Sequence, residues 1–124
     1  MICIDSSSMI AYLQGVEGND VTLIDHALLD QVAAFSPVTV TELLSASNLT
    51  SNLRETILAI PMFSVQEGFW ERAGLLRAKV LAKGSKARLA DTLIAQTCLD
   101  HHVPLVTRDQ DFHTFKKLAK LHLL

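Results

Sequence analysis

Short apolar segments alternate with longer amphipathic segments along the whole chain, and this alternation restricts the fold more than any other feature of the sequence. Five segments have the length and apolar character of buried strands: 2–4, 33–36, 62–65, 103–106 and 121–124. Helical patterns separate them. Such an order is typical of a parallel sheet with helices on both faces. The sequence therefore predicts an α/β fold with a central parallel sheet of four to five strands.

Local signals predict where several helices begin and end. Asp20 is a candidate N-cap for the second helix, Pro37 suits the first turn of the third, and Gly84 ends a helix that begins near residue 67. The predicted helices cover 6–13, the segments after Asp20 and Pro37, 49–59, 67–83 and 86–101. The length of 124 residues suits one core, which must be aliphatic because aromatic residues are only 6%. We expect residues 1–124 to form a single domain.

The composition bears on membranes and on the cellular compartment. Apolar residues make up 49% of the chain, but no stretch without a charge exceeds eleven residues, whereas a spanning helix needs about 18. The N-terminus lacks the basic residues and the long apolar run of a signal peptide. Cys3 and Cys98 have neither metal-binding nor redox spacing, so we interpret them as inert core residues. We expect a cytoplasmic protein with no membrane association.

The formal charge of −2 conceals a strong asymmetry along the chain. Residues 1–70 contain eight acidic residues and one basic residue (net −7), whereas residues 71–124 contain ten basic and five acidic residues (net +5). A polarised charge distribution is one indication of a nucleic-acid partner. A solvated helix face would give the same count, so the asymmetry leaves both interpretations open.

Acidic residues follow the predicted strands at the points where ligands bind in open parallel sheets, outside the carboxyl ends of the strands. Asp5 ends the first strand, Asp109 and Asp111 come shortly after 103–106, and Glu42 lies six residues after Ser36. We expect these side chains to meet at one edge of the sheet. Carboxylate oxygens without nitrogen or sulfur ligands favour Mg²⁺ or Mn²⁺.

Asp91 is the most informative of the acidic residues. On the helix predicted at 86–101, Ala87, Ile94 and Cys98 lie on the same face as Asp91. A carboxylate within an apolar stripe needs a partner, because burying an unpaired charge is costly. That partner is either a metal ion or Arg88, one turn away.

Each of the other acids also has a structural interpretation. Asp5 and Asp109 could be helix N-caps, and Glu42 could complete a capping box with Thr39. The remaining aspartates at helix starts and on polar faces are interpreted as solvated charges; they are Asp20, Asp25, Asp30 and Asp100. The sequence contains no P-loop, no dinucleotide-binding glycine motif and no nucleophile elbow.

Four segments, in this order, resemble the motifs of the PIN-domain family and, within it, of the VapC-type toxins of bacterial toxin–antitoxin pairs. They are Ile-Asp-Ser-Ser at 4–7, Val-Thr-Val-Thr-Glu-Leu-Leu at 38–44, Leu-Ala-Asp-Thr-Leu-Ile-Ala-Gln at 89–96 and Leu-Val-Thr-Arg-Asp-Gln-Asp-Phe at 105–112. The resemblance covers nearly the whole chain. Many relatives have Asn where Asp109 stands, so whether Asp109 or Asp111 ligates a metal directly stays open.

The resemblance implies a three-layer PIN-like fold and a metal-dependent endoribonuclease. It implies that Asp5, Glu42, Asp91 and Asp109 form the catalytic metal site with Mg²⁺ or Mn²⁺, and that Asp111 is a further or alternative ligand. Ser7 and Thr107 are candidate polar groups that orient water or a ligand; the alternative is that they are simple caps. The resemblance also implies a homodimer and an antitoxin partner whose segment covers the site.

An acidic site repels RNA, so basic residues must bind the RNA backbone. The candidates are Arg72, Arg77, Lys79, Lys83, Lys86, Arg88 and Arg108. Two other functions remain as alternatives. One is a catalytically silent interaction module of the same fold. The other is a phosphoacceptor signalling domain, although only one acid, Asp5, follows the first strand where that class needs a pair.

Overall fold

The computed structural model describes residues 1–124 and contains one parallel sheet of three strands. These are β1 (Ile2–Ile4), β2 (Ala33–Ala34) and β3 (Leu105–Val106), in the order β2-β1-β3. In the centre of the sheet, Cys3 is in register with Ala34 on one side and Leu105 on the other. The prediction of an α/β fold with a parallel sheet is confirmed.

The prediction of four to five strands is wrong. Segments 62–65 and 121–124 each contribute a single bridge, Phe35 with Met62 and Leu105 with Leu123, and neither extends into a ladder. Met62 and Val65 are 57% and 47% exposed. An apolar run of this length indicates a buried strand only if other elements cover it, and here Phe63 is the one buried residue of segment 62–65.

Seven α-helices and one 3-10 helix connect and cover the strands. They are α1 (Ser6–Leu13), α2 (Asn19–Leu29), α3 (Pro37–Leu44), α4 (Ser51–Ala59), α5 (Phe69–Ala82), α6 (Leu89–His101), the 3-10 helix Gln110–Phe112 and α7 (His113–Ala119). Pro37 occupies the first turn of α3, as predicted. Two capping predictions are wrong. Gly18, not Asp20, is the N-cap of α2, and the Ser36 hydroxyl caps α3, which places Thr39 inside the helix rather than in a capping box with Glu42.

Side chains on the two faces of the sheet belong to two separate cores. Cys3 and Leu105 point to the face that is covered by α5, α6 and α7, whereas Ile4 and Val106 point to the face that is covered by α1 to α4. This alternation follows from the two-residue period of a strand. Helices therefore cover both faces, as the sequence predicts. None of the helices is both long and apolar enough to cross a membrane.

Candidate metal centre

The structure brings the five acids of the sequence prediction to one edge of the sheet. Asp5 directly follows β1, and the loop after β3 carries Asp109 and Asp111. Asp91 lies in the first turn of α6, and Glu42 lies on α3. One carboxylate oxygen from each of Asp91, Asp109 and Asp111 lies within 4.8 Å of the others. This three-acid group, here called the carboxylate cluster, has Asp5 and Glu42 as its charged neighbours.

Asp5 is 4% exposed and organises the loop that carries the cluster. Its Oδ2 accepts hydrogen bonds from the hydroxyls of Ser7, at 2.7 Å, and Thr107, at 2.8 Å. These hydroxyls in turn accept backbone N–H groups of the loop, from Arg108 and Asp109 respectively, both at 3.0 Å. Asp5 occupies the N-cap position of α1, as the structural interpretation has it, but its side chain accepts no helix N–H, so the interpretation that this side chain caps the helix is wrong.

Asp109 combines a local structural role with its place in the cluster. Its Oδ1 accepts the backbone N–H of Asp111 at 2.9 Å and caps the 3-10 helix. The cap interpretation of Asp109 is therefore correct, and it does not remove Asp109 from the cluster. The tight turn holds two carboxylates two residues apart beside Asp91.

Burial and mutual repulsion disfavour the ionised forms of two acids at this site. The pKa of Asp91 is raised from 3.8 to about 6, first by burial and then by the negative charges of Asp109, Asp5 and Asp111. The pKa of Glu42 is also raised by burial and by Asp5, although a hydrogen bond from the Ser6 hydroxyl to Oε1, at 3.3 Å, opposes the shift.

No ion pair joins Asp91 to Arg88, so the structural alternative for Asp91 is wrong. The Arg88 Nη1 atom lies 4.0 Å from Oδ2 of Asp111 instead. Lys86 approaches the same oxygen, with Nζ at 3.3 Å. Both side chains are more than half exposed. They form a basic rim beside the carboxylate cluster, and the charge of Arg88 opposes the raised pKa of Asp91 without an ion pair between the two.

The donor set suits a hard divalent cation. The cluster offers carboxylate oxygens only, without the thiolate or imidazole groups that zinc prefers. The raised pKa of Asp91 reflects burial first and then repulsion by the neighbouring carboxylates, which the charge of Arg88 offsets only in part. A divalent cation between the three carboxylates would remove this repulsion, so the residues present fit Mg²⁺ or Mn²⁺.

The other candidate RNA-binding residues lie at several different places and do not form one surface beside the carboxylate cluster. Arg108 pairs with Asp20, and Arg72 pairs with Asp100 at the opposite end of α6 from Asp91. The Arg77 Nε donates to the carbonyl of Ala87 at 2.8 Å. Lys79 and Lys83 are exposed and form no salt bridge. The structure thus brings only Lys86 and Arg88 directly to the carboxylate cluster.

Two aspartates that were interpreted as solvated charges are ion-paired instead. The side chain of Asp100 is 6% exposed and accepts two hydrogen bonds from the Arg72 guanidinium, at 2.9 and 2.7 Å. The side chain of Asp20 is 16% exposed, and its partner Arg108 lowers its pKa to about 2. No spacing rule in the sequence links 72 to 100 or 20 to 108, because these partners meet only in the folded chain.

The chain belongs to the PIN domain family, whose family model matches residues 2–120. The resemblance inferred from the four sequence motifs is therefore confirmed. This assignment also sets aside the phosphoacceptor alternative. None of the curated protein sequences matches this chain.

Solved structures of toxin–antitoxin proteins share the fold over nearly the whole chain. VapBC-5 from Mycobacterium tuberculosis is 22% identical, with 99% of this chain and 96% of that chain covered, at a TM-score of 0.65. FitAcB from Neisseria gonorrhoeae is also 22% identical, with 100% and 96% covered and a TM-score of 0.72. VapBC2 from Rickettsia felis, bound to a DNA fragment from its promoter, is 18% identical, with 100% and 98% covered and a TM-score of 0.73.

Proposed function

We propose that this protein is a Mg²⁺- or Mn²⁺-dependent endoribonuclease that acts as the toxin of a toxin–antitoxin pair. One observation carries the catalytic part of the proposal. Three carboxylates with oxygens within 4.8 Å of one another lie at the ligand-binding edge of a parallel sheet, in a chain of the PIN domain family. This arrangement suits acids that bind a cation next to a phosphate, and it does not suit acids that activate a nucleophilic side chain.

Each acid has a distinct role in the proposed site. Asp91, Asp109 and Asp111 would hold the ion, which when bound would supply Lewis-acid stabilisation of the charge on a scissile phosphodiester and lower the pKa of a water. Asp5 positions the loop through Ser7 and Thr107 and adds negative charge. This role of the two hydroxyls extends their sequence-based interpretation as polar helpers.

Glu42 is the residue best suited to accept a proton from the attacking water. Burial and the negative charge of Asp5 raise the pKa of Glu42, which makes its carboxylate a stronger base. Glu42 is not part of the three-acid group, so its carboxylate can stay free of the ion and accept a proton. In the proposed step the water oxygen would form a bond to phosphorus as the bond from phosphorus to the leaving ribose oxygen breaks. Glu42 Oε1 or Oε2 would take the water proton, and the leaving oxygen would take a proton from solvent.

The partner proposals rest on the named relatives. The solved structures that share the fold are, by name, VapBC and FitAB toxin–antitoxin proteins. We therefore propose a cognate antitoxin that covers the site, a homodimeric toxin, and action in the cytoplasm.

A cleavage assay on pooled RNA tests the proposed activity. The protein should cut RNA with Mg²⁺ or Mn²⁺ and lose this activity in EDTA. Glu42→Gln keeps the size of the side chain but removes the base, so it should abolish cleavage while the protein stays folded. The absence of cleavage with either metal would favour the silent interaction module instead.

A further inference from the structure

A polar groove lies between the end of α5 and the outer face of α7, outside the carboxylate cluster. It has a volume of about 430 Å³. Its lining is formed by Lys83, Ser85, His113, Thr114, Lys117 and Leu118. We call it the α5–α7 groove. Of these residues, only Lys83 is among the basic residues that the sequence suggests for RNA binding. The sequence does not predict helix α7.

The α5–α7 groove is lined by cationic and hydroxyl groups without any acidic residue. The lining includes two ammonium groups, one imidazole and two hydroxyls, and it includes no carboxylate. Every cation that forms a salt bridge in this protein lies elsewhere; these are Arg72, Lys86, Arg88 and Arg108. Lys83 and Lys117 are thus uncompensated in a chain with more acidic than basic residues. Such a groove attracts an anionic ligand.

Two of the residues that line the groove are close in sequence to residues at the carboxylate cluster. Ser85 precedes Lys86, whose Nζ lies 3.3 Å from Asp111. On the other side, His113 follows Asp111 by only two residues, at the start of α7. Because Lys86 and Asp111 are one and two residues away from residues that line the groove, the groove lies beside the cluster, within reach of an extended anion bound there.

We propose that the α5–α7 groove binds phosphate groups of the RNA strand beside the phosphate that is cleaved. This inference rests on the proposed function. Lysine ammonium groups and hydroxyls bind phosphate oxygens without reading sequence. An acidic segment of a protein partner is the competing ligand, but only Leu118 of the lining is hydrophobic, whereas protein partners anchor through apolar pockets.

Binding measurements on a cleavage-deficient background test the groove. A labelled single-stranded RNA of mixed sequence is titrated into Glu42→Gln over a range of salt concentrations. Adding Lys83→Gln or Lys117→Gln should weaken binding several-fold at low salt. Each change should also reduce the slope of log K against log salt by about 0.7, because one phosphate contact is lost.

Lys116→Gln is the matched control. Lys116 is exposed on the same helix and undergoes the same charge change, but it does not line the groove. It should leave the salt slope nearly unchanged. Because all three lysines are exposed, the melting temperatures of the variants should equal that of the Glu42→Gln parent.

The outcomes separate the two proposals. If the Glu42→Gln parent does not bind RNA, the proposed function fails and the groove assignment fails with it. If the parent binds RNA but the Lys83 and Lys117 variants keep its salt slope, or if Lys116→Gln lowers the slope equally, only the groove assignment is overturned. Loss of affinity for a protein partner with unchanged RNA affinity would assign the groove to that partner and overturn the RNA assignment.

Discussion

The guanidinium of Arg108 holds the carboxylate of Asp20 at two points, with Nε 2.6 Å from Oδ2 and Nη2 3.0 Å from Oδ1. The Nη2 also donates to the carbonyl of Glu17 at 2.9 Å, and the Ser8 hydroxyl donates to Asp20 at 2.9 Å. These contacts attach the loop after β3 to the start of α2. A Cβ at Gly18 would lie 2.5 Å from Arg108 Nη2, so glycine makes room for this approach.

We expect Asp20→Asn to lower both stability and metal affinity. The low pKa of Asp20 means that its ionised form stabilises the folded state above the unfolded pKa, and that this contribution is lost as the pH falls towards about 2. Removing the charge should cost about 1–2 kcal/mol at pH 7 and leave the Arg108 guanidinium without an anionic partner, so that the loop after β3 is held less firmly. Chemical denaturation and Mn²⁺ titration measure the two effects. Asp30→Asn, at an exposed position just after α2, is the control and should change neither.

Asp91→Asn should have the opposite effect on stability. The folded-state pKa of about 6 lies above the unfolded value, so the folded state holds the extra proton. The associated stabilisation is complete below about pH 4 and is lost as the pH rises through about 6. In EDTA at pH 7 the free energy of unfolding of the variant should therefore match or exceed that of the parent, by on the order of 1 kcal/mol after solvent screening.

The Asp91→Asn variant should also bind Mn²⁺ weakly and cleave no RNA. Marked destabilisation with cleavage retained would show that Asp91 is a structural acid.

Asp100→Asn, on the same helix, provides a matched contrast. The ion pair with Arg72 lowers the pKa of Asp100, so its contribution is present above the unfolded pKa and disappears as the pH falls. The substitution removes the buried carboxylate from a pair whose Arg72 side chain is 41% exposed, and it should destabilise the protein by about 1 kcal/mol at pH 7. Mn²⁺ affinity should not change, because Asp100 lies at the opposite end of α6 from the cluster. Equal effects of the two substitutions on metal binding would contradict the assignment of the cluster.

Millimolar Mn²⁺ or Mg²⁺ should raise the melting temperature by mass action, because the ion binds the folded state. Asp109→Asn and Asp111→Asn should each reduce this shift, since both carboxylates belong to the cluster. The larger reduction identifies the stronger ligand. Asp109→Asn retains an oxygen that can cap the 3-10 helix, so its effect on the metal is separable from its effect on the loop. A melting temperature that does not change with Mn²⁺ would contradict the proposal that the carboxylate cluster binds a divalent cation.

The pattern of neighbouring residues was sufficient to predict the elements in which apolar residues recur with the period of a helix or a strand. Helix α1 occupies Ser6–Leu13, as the spacing of its apolar residues predicts. The buried strand Ile2–Ile4 and the carboxylate that ends it were also predictable. The four family motifs identified the acids that the structure brings to one edge. In each case the signal lies in neighbouring residues, because strand and helix periods are local properties.

The sequence by itself determined the α/β class, the family and the acids that converge at one edge of the sheet. Only the tertiary structure decided which apolar segments became strands, since of 62–65 only Phe63 is buried. It also decided which aspartates are paired: Asp20 and Asp100 find arginines that are 88 and 28 residues away. Burial and ion pairing depend on distances between segments that are remote in sequence, and those distances exist only once the helices have packed against the sheet.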